Sequence, residues 1–343
     1  MDPTPNQIKQ FIVPTVCLFF SLIASGCNSS DSQAYLSCKN RLTSSWADPK
    51  VLHADIAALT SDAFEGRKTG TLGAQKSRNY IASRFNEVGL KPWQDEYAVP
   101  FSYQLSFSQR QGVNMIGVIR AKQPTDKWRI VLAHYDHLGK KGNRIHPGAD
   151  DNASGIAAML QIASRVTQSI KTDDSQLSSL NTLPINYLFV ATDAEEPGLF
   201  GGYALVESLK TLGVIPQIEQ IELAINLDMV GRPGRPYAIY LEGKKGFKRF
   251  NEIQRNITAA NGLCIKATHP RSLNKSVKKV DWLRASDHYP LHKAGIPWLY
   301  FGVPPHNDYH STRDTIEKID LQFLAAVTES ANQLLVIDSL LLK

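Results

Sequence analysis

Four apolar runs mark the middle and the end of the chain, at residues 129–133, 185–191, 223–227 and 298–301. Each is too short for an ordinary helix and reads as a strand buried on both faces. Between the first two, Ile156, Met159, Leu160, Ala163 and Val166 share one helical face. Earlier, Ala74, Ile81, Phe85 and Val88 recur at helical spacing and Gly89 supplies a stop. Residues 114–120 read as a further strand, residues 168–184 as an exposed polar insertion, and a final helix is predicted over about 321–341. Strands alternating with helices predict an α/β fold, with a mixed, largely parallel central sheet flanked by helices. Neither an internal repeat nor a second core is evident, so residues 51–343 are read as one domain.

The first residues read differently. Residues 11–25 are apolar and end in Ala24-Ser25-Gly26-Cys27, small residues of the kind signal peptidases read, followed by a cysteine. The pattern resembles the lipobox of bacterial lipoproteins, in which that cysteine is acylated. It departs from the pattern in having Ala24 where leucine is usual. The expectation is a signal peptide over 1–26, lipidation at Cys27, and a polar tether over 27–50. It implies an exported, membrane-anchored protein on the periplasmic face of the outer membrane, or one otherwise periplasmic or secreted. Cleavage would also remove Cys17 and leave Cys38 and Cys264 as a pair able to bridge in an oxidising compartment.

Composition narrows the classes. The chain has 343 residues, 43% hydrophobic and 20% charged, which is ordinary for a globular enzyme. Its net charge of +6 is dispersed; the densest basic cluster, Lys244, Lys245, Lys248 and Arg249, is broken by glycine and phenylalanine. Without a nucleic-acid-binding signature, it reads as a solvated face, and no nucleic-acid partner is expected.

The candidate chemistry follows the apolar runs. His134-Tyr135-Asp136 comes after the first, Glu195-Glu196 after the second, Asp228 after the third and Tyr309-His310 shortly after the fourth; Asp150-Asp151 precedes the helix of Ile156. Ligand sites in open α/β sheets gather at the carboxyl ends of strands. Any one of these residues has an ordinary explanation, such as a hydrogen-bonded histidine or an aspartate capping a helix. Together they place charge where burial is costly unless something pairs with it. Imidazole and carboxylate are zinc ligands, and two metals a few ångströms apart need a shared carboxylate between them.

Five segments then carry a resemblance: AHYDHLG, PGADDNASGIAAM, FVATDAEEPGLFGG, AINLDMVGRP and DYHSTRDTIEKID. Their order is similar to that of the dinuclear-zinc aminopeptidase family, related to glutamate carboxypeptidase and glutaminyl cyclase. The opening segment over 59–92 is similar as well, so the resemblance covers about 51–340. It implies a zinc exopeptidase with two zinc ions per chain and peptide substrates. Asp151 would bridge, His134 and Asp228 would hold one zinc, and Glu196 and His310 the other. Glu195 would be the general base, Asp136 would orient the His134 ring, and Tyr309 would donate to the oxyanion. Ser286 and Asp287 match a segment near the substrate pocket.

The chain also departs from its relatives. It has no cysteine beside Ser286 or His310, and Leu283 stands nearest to where some members carry a second tyrosine. Removal of N-terminal amino acids is the expected activity. A carboxypeptidase would need a cationic clamp, for which Arg232, Arg235 and Arg284 lie near the motifs, and a single-zinc glutaminyl cyclase is the other alternative. A non-catalytic ectodomain would be expected to have lost ligands that are all present here.

Overall fold

The computed structural model describes residues 42–171, 184–211, 216–235, 237–267 and 280–337, all within one compact unit. The expected signal peptide, Cys27 and Cys38 lie outside these residues. Cys264 is disulfide-bonded.

Two helices open the fold. Helix α1 (Pro49–Thr60) starts where the Asp48 carboxylate accepts the Lys50 N–H, with proline in the first turn, where a missing donor costs nothing. Helix α2 (Leu72–Glu87) is capped by Thr71, and Gly89 behind it takes φ +88°, a left-handed turn suited to glycine. The folded part begins upstream of the expected boundary at Val51. The Glu329 carboxylate accepts the N–H groups of Ser45, Trp46 and Ala47 at 2.6, 2.6 and 2.9 Å, and the Ser44 hydroxyl at 2.9 Å. The end of the expected tether is therefore pinned to the domain. The apolar pattern had hidden this, because the anchor is a buried carboxylate.

The sheet is built from β1 (Lys91–Pro92), β2 (Ala98–Leu105), β3 (Ser108–Ile119), β4 (Trp128–His134), β7 (Asn186–Thr192), β8 (Ile221–Leu227), β9 (Ile239–Glu242), β10 (Ile265–Lys266) and β11 (Trp298–Gly302). A two-stranded ribbon, β5 (Lys140–Lys141) with β6 (Arg144–Ile145), stands apart. The order is β1-β3-β7-β4-β8-β11-β9-β10, with β2 paired to β3. The four strands read from apolar runs, β7, β4, β8 and β11, are mutually parallel and central. Antiparallel pairings flank them at β3 and β9. Strand β3 exceeds its expected span because its first residues are exposed and polar, paired only in a hairpin with β2.

The remaining helices are α3 (Ser154–Lys171), α4 (Phe200–Lys210), α5 (Phe250–Asn261), α6 (His288–Lys293) and α7 (Leu321–Leu335). Helix α3 runs into the start of the stretch expected as an exposed insertion, and the described part of the final helix ends at Leu335. Side chains alternate across β4. Val131 and Ala133 join the core shared with α3 and α7, while Ile130 and Leu132 face the core shared with α4 and α6. Covering both faces makes the middles of the central strands largely apolar. Each fully buried aliphatic side chain there contributes roughly 1.5–3 kcal/mol.

Candidate metal centre

Sheet register assembles the site. His134 ends β4 in register with Thr192, the last residue of β7. The Asp228 N–H, just past β8, donates to the Phe301 carbonyl on β11. Loops leaving these neighbouring strand ends carry Glu195, Glu196 and His310, and the turn entering α3 carries Asp151.

Two donor sets form around one carboxylate. Asp151 Oδ1 lies 3.4 Å from His134 Nε2, which is 3.3 Å from Asp228 Oδ1. Asp151 Oδ2 lies 3.2 Å from His310 Nε2, which is 3.0 Å from Glu196 Oε2. A tetrahedral ion with bonds of roughly 2.0–2.1 Å needs ligand atoms about 3.3 Å apart, so both sets have the spacing of a zinc site. Asp151 Oδ2 and His310 Nε2 are buried without a hydrogen-bond partner. The donor chemistry and these orphaned atoms fit two divalent cations sharing Asp151.

The electrostatics agree. Burial opposes protonation of His134, yet the nearby charges of Glu195 and Asp228 lift its pKa well above the ordinary value. His310 is likewise opposed by burial but raised to about 10 by the Asp151 and Glu196 carboxylates beside it. Burial works against ionisation of Glu196, and a hydrogen bond with His137 and the nearby His310 overcome it and hold the carboxyl below its usual range. This carboxylate cluster demands positive charge beside it. Glu195 is pushed well above the ordinary range by burial, with His134 opposing and Asp228 and Asp287 reinforcing.

The model of peptidase family M28 matches residues 114–335, more than half the chain. The chain belongs to peptidase family M28. Among M28-type relatives, aminopeptidase YwaD of Bacillus subtilis is 29% identical over 230 residues, which cover 64% of this chain and 43% of that protein. The chain thus spans under half the length of that relative. BSAP, a zinc aminopeptidase from Bacillus subtilis, superposes with a TM-score of 0.61 at 17% identity, over 86% of this chain and 96% of that one. Porphyromonas gingivalis glutaminyl cyclase superposes at 0.64 and 19% identity, over 84% and 97%. Identities this low establish the shared fold.

Within this M28 fold the two adjacent aspartates separate cleanly. Asp150 Oδ1 accepts the Gly231 N–H at 2.7 Å and the Ser154 hydroxyl at 3.2 Å, while Asp151 turns its carboxylate to the donor sets. Asp136 acts differently from expectation. His134 Nδ1 is 3.2 Å from the Asp136 backbone carbonyl and 3.8 Å from its carboxylate. That carboxylate accepts the N–H groups of Glu195 and Glu196 at 3.0 and 3.3 Å, so its side chain fixes the glutamate loop. Ser286 and Asp287, expected beside substrate, have no exposed surface. Ser286 accepts from Asn226 at 2.8 Å and hydrogen-bonds Asp228, and Asp287 accepts the Thr192 hydroxyl at 2.5 Å. Ser286 thus supports the Asp228 carboxylate, and Asp287 ties to the end of β7. Tyr309 stacks on the His310 ring, with centroids 3.8 Å apart, and remains 37% exposed, open to a substrate.

Sequence reasoning missed two residues. His137 lies 2.7 Å from Glu196, and its donor atom clusters with those of Asp151 and Glu196. Arg67 is wholly buried and donates to the carbonyls of Leu59, Tyr135, Pro147 and Gly148, tying the His134 loop to the Asp151 turn. The second histidine of AHYDHLG was a visible signal for the first residue. Nothing local marked Arg67.

Proposed function

We propose that the chain is a two-zinc aminopeptidase that removes N-terminal amino acids from peptides. The observation that carries this reading is the division of the Asp151 oxygens between two donor sets, one with His134 and Asp228, the other with His310 and Glu196. Zinc bound there would acidify water and polarise the scissile carbonyl. Glu195, kept basic by its buried position, accepts the proton of the attacking water and passes it to the departing amine. The Tyr309 phenol donates to the carbonyl oxygen as negative charge develops on it, a contribution of roughly 3 kcal/mol for one well-placed donor. Asp136 keeps Glu195 and Glu196 in place through their N–H groups.

A free N-terminal amine suits the carboxylate-rich centre. Of the arginines considered for a carboxylate clamp, Arg232 pairs with Asp308 at 3.2 Å, and Arg284 is exposed over the Tyr289 ring. Dipeptide hydrolysis is expected to vanish on chelation and to return with zinc, reaching full activity near two ions per chain. Full activity at one ion, or in the presence of chelator, argues against the reading.

We further propose export as a lipoprotein, with Cys27 the acylated first residue of the mature chain, anchored on the periplasmic face of the outer membrane. The apolar segment and small residues before Cys27 support this. No helix among the described residues is long and apolar enough to cross a membrane. Palmitate labelling of the whole chain, lost in Cys27→Ser, is the test. Equal labelling of both would rule the anchor out.

A further inference from the structure

His137 is buried, and among the described residues its ring's close polar partners belong to the second donor set. Its Nδ1 is 2.7 Å from Glu196 Oε1 and 3.8 Å from Asp151 Oδ2, and its Nε2 has no hydrogen-bond partner. The other Glu196 oxygen, Oε2, faces His310 Nε2 at 3.0 Å. The two oxygens of one carboxylate are therefore divided between two imidazoles.

The backbone makes room for this ring. Gly148 has φ +59°, and a side-chain carbon there would come within 2.6 Å of His137 Cδ2 and 2.7 Å of Cγ. A side-chain carbon at 148 would also meet the Asp151 carbonyl at 2.2 Å, so only glycine fits between the two. The His137 N–H also reaches the carbonyl of Arg67, whose guanidinium holds the Gly148 carbonyl, so histidine, glycine and arginine interlock.

The distances separate two roles. Ligand atoms on one zinc ion sit about 3.3 Å apart, whereas a charge-assisted N–H···O bond is about 2.7–2.9 Å. At 2.7 Å the His137–Glu196 contact has the length of the hydrogen bond, and 3.8 Å to Asp151 is long for a shared ion. An Nδ1–H tautomer also leaves only a lone pair at the unpartnered Nε2. Direct ligation through Nδ1 would instead strand a buried N–H there, which is costly.

We propose that His137 is a positioning residue for the second metal: its Nδ1–H holds Glu196 Oε1, so that Glu196 offers the ion a single oxygen, Oε2. This rests on the two-metal reading above. A free carboxylate can rotate to bind through both oxygens or swing away, and His137 prevents both.

The test is zinc titration of the metal-free chain against a competing chromophoric chelator, repeated with cobalt to read the visible spectrum of each equivalent. Asparagine carries its amide nitrogen where histidine carries Nδ1, so it can restore the donor. His137→Ala is expected to weaken the second equivalent by about 10–100-fold, the usual cost of losing such support, and to leave the first unchanged. His137→Asn is expected to recover most of the loss. His137→Leu, which fills the space without a donor, should match alanine and serves if alanine does not fold. Wild-type affinity in the alanine or leucine variant overturns the role of His137. So does an asparagine variant as weak as alanine with an altered cobalt spectrum, since that marks a direct ligand. A wild-type chain that takes up one zinc overturns the two-metal reading itself.

Discussion

Asp314 accepts the backbone N–H of Asp151 at 3.1 Å, and the same carboxylate also takes the N–H of Asp150. The turn before α3 is thereby held through its backbone, and the Asp151 side chain stays free to serve both donor sets. On the proposed two-metal reading, Asp151→Asn is expected to lose tight binding of both ions, because the shared charge disappears. Asp150→Ala is expected to keep them but to lose about 1–3 kcal/mol of stability, with the Gly231 N–H left unpaired. Elemental analysis after gel filtration, together with urea unfolding, separates the two. Equal zinc loss in both variants contradicts the division of labour.

Glu195 is half-buried beside the donor sets, and its charge acts on His134. Glu195→Gln is expected to retain wild-type zinc content while turnover falls by about 10²–10⁴-fold, the range for a lost general base. Loss of zinc in this variant would make Glu195 a ligand instead.

The strands and ligands were legible because burial writes a local signature. Runs such as 187–191 are apolar in every position when both faces are covered, and a charged residue just after them is conspicuous. The choice of Asp151 over Asp150 was not local, since it depends on Gly231 and Ser154 claiming the first carboxylate. The Asp136 side chain, read as a partner of His134, proved to hold a loop 59 residues away. Contacts of that range leave no periodicity. The same holds for His137 with Glu196, and for Glu329 with residues 44–47.

Glu329→Ala leaves the N–H groups of Ser45, Trp46 and Ala47 without their acceptor. At about 1–3 kcal/mol for each buried donor left unpaired, with water able to reach part of the segment, a loss of roughly 3 kcal/mol or more is expected. Chemical denaturation measures it, and Glu329→Gln, which keeps one acceptor oxygen, should fall between alanine and wild type. A change below about 0.5 kcal/mol, typical of surface sites, would mean the segment is not anchored there.

His288 is buried against Trp298 and Tyr300, and burial pulls its pKa down to about 4. The unfolded chain, with an ordinary value of about 6.5, binds a proton in this window that the folded chain refuses. Stability from this group is complete above about pH 6.5 and is lost as pH falls toward 4, by about 3 kcal/mol in total. In His288→Gln the loss of unfolding free energy between pH 7.5 and 4.5 is expected to be smaller than in wild type by roughly that amount. An unchanged pH dependence refutes the assignment.

The direction of cleavage is read most directly from mass spectra of one unblocked pentapeptide that begins with glutamine, its N-acetylated form and its C-terminal amide, each incubated with the zinc-loaded chain and with Glu195→Gln as a control. The unblocked and amidated peptides are expected to shorten stepwise from the N-terminus, and the acetylated one to survive. Shortening from the C-terminus, or conversion of a glutamine-initiated peptide to pyroglutamate without chain cleavage, would contradict the aminopeptidase assignment.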